Sequence, residues 1–135
     1  MGIDLSKFLQ LYFDESTECL QVLECQLQGA SQLSPSAASM RQTIRAAHSI
    51  KGSSGAFGFD DVLELAQALE LALLQVERQE TVMSLARQTL CLEAVNGLRQ
   101  LLQRRQQGLC GDAALAAAIG GRLAACPVDR AAACG

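Results

Sequence analysis

Apolar residues in this chain recur at helical spacing in long runs that glycine or proline interrupts in only a few places, which restricts the fold to packed helices. From residue 4 to 28, Leu5, Phe8, Leu9, Tyr12, Phe13, Ser16, Cys19, Leu20, Leu23 and Leu27 lie along one side of a helix. Asp4 stands where a cap belongs, and Asp14, Glu15, Glu18 and Glu24 make another side acidic, as a solvated surface is. Gly29 to Ser34 breaks the pattern. Ser34-Pro35 then reads as an N-cap followed by proline in the first helical position, so a second helix is expected from about Pro35 to Ala56. Its core side would hold Met40, Thr43, Ile44, Ala47, Ile50, Ser54 and Phe57. Gly58 suits a stop, because glycine accepts positive φ, with Phe59 packing back on the helix end. A third helix is expected from about Asp60 or Asp61 to Arg78, apolar on most of its circumference, with Gln67 and Glu70 interrupting that apolar surface on one stripe three residues apart. A fourth spans about Val82 to Gln106, with Leu85, Ala86, Leu90, Val95, Leu98, Leu101 and Leu102 inward and several arginines outward.

Short connections make successive helices antiparallel neighbours, so residues 1–108 are expected to form an all-α, up-down four-helix bundle. Beyond Gly108 the composition turns to alanine, glycine and cysteine. A fifth, weakly anchored helix is expected within 109–125, and a linker or disordered end over 126–135. Two prolines, no tryptophan and a 50% hydrophobic content rich in leucine and alanine agree with helix over strand. A net charge of −3 supplies no basic stripe for nucleic acid. No apolar run reaches the roughly 20 residues of a membrane span, and Met1-Gly2-Ile3-Asp4 does not open a signal peptide, so a cytoplasmic location is expected. The cysteines Cys19, Cys25, Cys91, Cys110, Cys126 and Cys134 form no CxxC pair and no ligand spacing with His48; they read as small, reduced hydrophobes, with no metal site.

The stretch from Arg45 to Phe59 carries the chemistry. It holds the one histidine of the chain, and Arg41, Arg45, His48, Gly52 and Gly55 share a helix side directed away from the core residues. Each of the two glycines lowers helix propensity by about 1 kcal/mol relative to alanine, which suits a flank that another molecule must approach closely. An exposed imidazole is largely neutral at pH 7, so one ring nitrogen can attack phosphorus while the other keeps its proton. Glu70 on the third helix is the candidate to accept that N–H, and Lys51, three residues after His48, to neutralise phosphoryl oxygens. The residues alone also admit a bland reading: an incidental histidine, a solvated lysine, a surface carboxylate, and glycines serving a helix contact. Lys51-Gly52-Ser53-Ser54-Gly55 runs opposite to a P-loop, and GxSxG, HExxH and dinucleotide fingerprints are absent, so ATP binding by this chain is not expected.

His48-Ser49-Ile50-Lys51-Gly52-Ser53-Ser54-Gly55, preceded by Arg45-Ala46-Ala47 and followed by Phe57-Gly58-Phe59, resembles the H-x-x-K-G signature of histidine phosphotransfer (HPt) domains. Phe13-Asp14-Glu15-Ser16 with Glu18 and Leu20 is similar to the opening of the HPt domains of CheA-type chemotaxis kinases. The resemblance covers about residues 3 to 106. It implies that His48 is phosphorylated by an ATP-Mg-using CheA-type kinase domain and passes the group to the aspartate of a CheY- or CheB-like receiver. Lys51 would then be the phosphate-side cation and Glu70 the partner of the ring. Arg45, Gly52 and Gly55 would be the surface that meets partners. It departs from the family at Gln67, where many such domains carry a second histidine; a glutamine can hydrogen-bond but cannot titrate. By itself such a domain is a phosphoacceptor and phosphodonor, not an enzyme; it would bind no cofactor and be monomeric, while its full-length parent would be a histidine kinase. The alternatives are an HPt domain of a pilus-type chemosensory kinase, a stand-alone relay protein, or a structural helical module.

Overall fold

The computed structural model describes residues 4–28 and 35–129, and among these every regular element is a helix. In chain order these are α1 (Leu5–Leu27), α2 (Ala37–Ala56), α3 (Asp60–Glu77), α4 (Leu85–Gln106) and α5 (Ala113–Ala124). Four begin on a side chain that accepts an otherwise unpaired backbone N–H: Asp4 from Ser6, Ser36 from Ser39, Ser84 from Arg87 and Asp112 from Leu115. The cap of α2 is thus Ser36, not Ser34, which lies outside the described residues, and the helix opens after Pro35. Likewise α4 begins at Leu85 behind the Ser84 cap and not at Val82, whose N–H instead donates to the Asp129 carbonyl.

Helices α1 to α4 close a ring in which each packs on the next and α4 returns to α1. Leu23, Ile50, Val62, Leu65, Leu69, Leu73, Leu98 and Leu101 are fully buried at its centre. Antiparallel order shows in the long-range contacts. Tyr12 near the start of α1 bonds Ser54 near the end of α2 at 2.7 Å, and Arg105 near the end of α4 bonds Asp61 at the start of α3 at 2.8 Å. At the α2–α3 turn Gly58 takes φ +71°, and the Phe59 N–H reaches back to the Ser54 carbonyl at 3.0 Å, so the glycine stop forms as expected. Phe59 packs on Tyr12 and Phe13, with the Arg105 guanidinium 4.6 Å over its ring. This locks the end of α2 and fixes how α3 returns alongside it.

Several inward assignments require correction. Leu5 and Phe8 are exposed because they precede Tyr12, which already packs against Phe57 and Phe59 at the end of α2; the first turns of α1 run past that end. Leu85 is exposed at the first position of α4, and Cys25 and Cys110 are exposed, whereas Cys91 and Cys126 are buried. Burial pushes the Cys91 thiol up to about 12, which leaves it unreactive. Arg87, in contrast to an outward arginine, is fully buried: Nη1 donates to the Ala72 carbonyl at 3.2 Å and to Gln75 Oε1 at 2.8 Å, and Nη2 donates to the Pro127 carbonyl at 3.5 Å.

The same contacts revise the C-terminal expectation. α5 seats Ala116, Ile119 and Leu123 in the core against α3 and α4. Residues 126–129 are held beside the α3–α4 loop, where Asp129 N–H donates to Thr81 Oγ1 at 2.8 Å and Val82 N–H to the Asp129 carbonyl at 2.9 Å. Residues 130–135 lie outside the described residues. No helix among those described is long and apolar enough to cross a membrane.

Candidate functional site

His48 stands in the middle of α2, on the side opposite Ala47 and Ile50, which are fully buried. The periodicity that buries these residues turns the imidazole to solvent, where its side chain is 64% exposed. Glu70 approaches from α3 and is itself buried, at 7%. Its Oε2 accepts from His48 Nδ1 at 2.7 Å, and its Oε1 accepts from Lys51 Nζ at 2.6 Å. One carboxylate thereby holds both α2 side chains.

Burial opposes ionisation of Glu70, but the hydrogen bonds from Lys51 and His48 outweigh it, and the carboxyl is held below the usual carboxylate range. Glu70 is therefore a carboxylate at neutral pH and can only accept. The ring proton of a neutral His48 is consequently placed on Nδ1, which leaves the Nε2 lone pair free on the solvent side. A ring fixed in this tautomer, with a negative charge behind it, is suited to nucleophilic attack through Nε2.

The remaining site residues divide. Arg41, Arg45 and Gly52 lie on the exposed crest of α2 with His48, and neither arginine is ion-paired with a carboxylate among the described residues. A Cβ at Gly52 would meet nothing within 4 Å, so packing does not require glycine there. At Gly55 a Cβ would come within 3.1 Å of Leu63 Cδ1, which gives that glycine a role in the α2–α3 contact. Gln67 is exposed one turn before Glu70, and its side chain makes no hydrogen bond to His48, Lys51 or Glu70. No group of three or more histidine, cysteine or carboxylate side chains suited to a metal occurs among the described residues. The bond between Lys51 and Glu70 was not legible in the spacing, which gives Lys51 only to phosphate; the pairing depends on how α2 and α3 are set against each other.

A bundle that displays one carboxylate-backed histidine on a helix crest has the architecture of a phosphotransfer module, and comparison with known proteins agrees. The family model described as "Hpt domain" matches residues 7–108, and the chain belongs to this family. It is 40% identical over 80 residues to the chemotaxis protein CheA of Salmonella typhimurium, covering 59% of this chain and 12% of that protein. It is 34% identical over 102 residues to CheA of Klebsiella aerogenes, covering 76% of this chain and 16% of that protein. The chain therefore spans a small part of the length of these relatives. Its fold is shared with the phosphorylated P1 domain of CheA3 from R. sphaeroides, solved in complex with CheY6. That likeness has a TM-score of 0.76 at 22% identity and covers 90% of this chain and 98% of the other.

Proposed function

We propose that this HPt domain is the phosphoacceptor and phosphodonor of a chemotaxis-type histidine kinase system, with His48 as the phosphorylated residue. The carrying observation is the 2.7 Å bond between His48 Nδ1 and buried Glu70, which leaves Nε2 as the ring nitrogen on the solvent side. In the first step Nε2 attacks the γ-phosphorus of ATP held with Mg on a separate kinase domain. The N–P bond forms, the bond to the bridging oxygen breaks, and ADP leaves. Positive charge that develops on the ring is met by the Glu70 carboxylate. In the second step a receiver aspartate oxygen attacks phosphorus, the O–P bond forms, the N–P bond breaks, and Nε2 recovers its lone pair.

Lys51 has three N–H donors, so it can keep Glu70 and still offer another to a phosphoryl oxygen. Gly52 keeps the crest low beside the ring, Arg45 contributes positive charge to the docking surface, and Gly55 shapes the helix contact beneath it. Gln67, exposed on α3 one turn before Glu70, can hydrogen-bond but supplies no second titrating group. The domain itself binds no cofactor in this scheme, acts in the cytoplasm, and is a substrate of the kinase; catalysis belongs to the longer parent protein. The identities of 34% to 40% with CheA proteins support this assignment.

The test is labelling by a CheA-type kinase core without its own HPt domain, using radiolabelled ATP, wild-type domain or His48→Gln, then a receiver. Acid-labile, alkali-stable phosphate on the wild type alone, discharged by the receiver, is the expected result. Labelling of His48→Gln, or none of the wild type by a kinase verified on another HPt domain, overturns the proposal.

A further inference from the structure

Two surfaces of opposite sign flank His48. Along the crest of α2, Arg45 stands three residues before the histidine and Arg41 seven before it, both exposed and without a carboxylate partner among the described residues. On the other flank a groove of about 410 Å³ separates α2 from α1; Ser49 and Ser53 form its α2 wall, and Glu15 and Glu18, both exposed, stand on its α1 wall. The cations sit within about 5 Å and 10 Å of His48 along the helix, from the 1.5 Å rise per residue. That is comparable with the Debye length of about 8 Å at physiological salt, so both act on a partner at the ring.

We infer that Arg41 and Arg45 form a steering strip for the receiver, which docks with the carboxylates around its acceptor aspartate over this strip and away from Glu15 and Glu18. The inference rests on the phosphotransfer reading above and adds the partner's orientation. Charge complementarity carries it: transfer brings an anionic phosphoryl group against an anionic acceptor, and Lys51, the further cation beside the ring, is bonded to Glu70. An acidic acceptor face is attracted along the crest and repelled at the α1 wall, which selects one rotation about the axis through Nε2.

The experiment isolates the second step. Wild type, an Arg41→Glu/Arg45→Glu variant and a Glu15→Gln/Glu18→Gln variant are each phosphorylated to completion by the kinase core and purified, and discharge to the receiver is followed at 20 mM to 500 mM salt, concentrations on the order needed to move the Debye length through this range. The expected results are a fall in kcat/KM of about tenfold at low salt for the arginine variant, carried by KM, with most of the salt dependence gone. The glutamate variant should transfer faster at low salt. Wild-type kcat/KM and salt slope in the arginine variant overturn the strip, and slower transfer in the glutamate variant overturns the orientation. A wild type that cannot be phosphorylated at all defeats the underlying phosphotransfer reading instead. Circular dichroism identifies any variant that misfolds; the single Arg45→Gln variant, which removes charge without reversing it, then replaces it and should lose about threefold in kcat/KM.

Discussion

Replacing Gly52 should make the domain more stable and a poorer phosphodonor at once. The position lies in the exposed interior of α2, and an added Cβ meets nothing within 4 Å, so no packing is disturbed. Gly52→Ala removes the conformational freedom that glycine brings to the unfolded chain and should stabilise by about 0.5–1 kcal/mol. In a domain of this size that raises Tm by roughly 2–6 °C. Gly52→Leu should keep most of that gain, but long helix side chains lean toward the N-terminus and cover the preceding turn. For residue 52 that turn carries His48. A leucine there stands beside Nε2 in the path of both donor and acceptor, and transfer to a receiver should slow at least about tenfold, a barrier increase of about 1.4 kcal/mol. Thermal unfolding followed by circular dichroism gives the first quantity, and quenched-flow discharge of the phosphorylated domain gives the second. Gly52→Leu that transfers at the wild-type rate would refute the claim that the glycine exists for access. A fall in Tm would refute the claim that packing leaves the site open.

Other consequences follow from the polar contacts. Glu70→Gln should slow phosphorylation of His48 by roughly 10- to 100-fold, from loss of a charge-assisted bond of about 1.5–3 kcal/mol, and the ¹⁵N spectrum of the ring should show a mixed tautomer; an unchanged rate and a single tautomer would remove Glu70 from the mechanism. Asp61 is buried, and although burial opposes its ionisation, bonds from Arg105 and from the Asp112 and Val62 backbone N–H groups hold its carboxyl below the usual range. Its stabilisation is therefore complete above the ordinary carboxylate pKa of about 4 and is lost as pH falls through the lower folded value. Asp61→Asn should cost about 3–5 kcal/mol at pH 7 in urea unfolding, and the gap from wild type should narrow toward pH 2; a gap independent of pH would contradict the assignment. Arg87→Ala should cost about 2–4 kcal/mol by leaving the Ala72 and Pro127 carbonyls without their donor, and amide exchange at Val82 and Asp129 should accelerate more than in the middle of α2. Uniform acceleration would show that the C-terminal segment is not latched there.

The helices, the Gly58 stop and the outward turn of His48 were legible because they depend on neighbours within a turn or two. Glu70 was legible because, with Gln67, it interrupts the apolar surface of α3 on one stripe. What the sequence left hidden depends on partners distant along the chain. Arg87 looks like any surface arginine of α4 until Ala72 and Pro127 are brought to it. The bond from the Val82 N–H to the Asp129 carbonyl joins segments far apart in the chain. The bond between Lys51 and Glu70 requires α2 and α3 to be in register. Leu5 and Phe8 follow the apolar stripe correctly, and only the length of α2 decides that the stripe outruns its neighbour.

The placement of His48 on a convex crest, with one reactive nitrogen, also sets the kinetics of any relay built on it. The proposed donor and acceptor must reach the same Nε2 from the same side, so each excludes the other while it is bound. Under the proposed function the domain would work as a serial shuttle, and every moment spent with one partner would be inhibition of the other. Tight docking would therefore lower throughput, and the favourable regime is fast arrival with fast departure, which exposed charges beside the ring provide better than a large apolar interface.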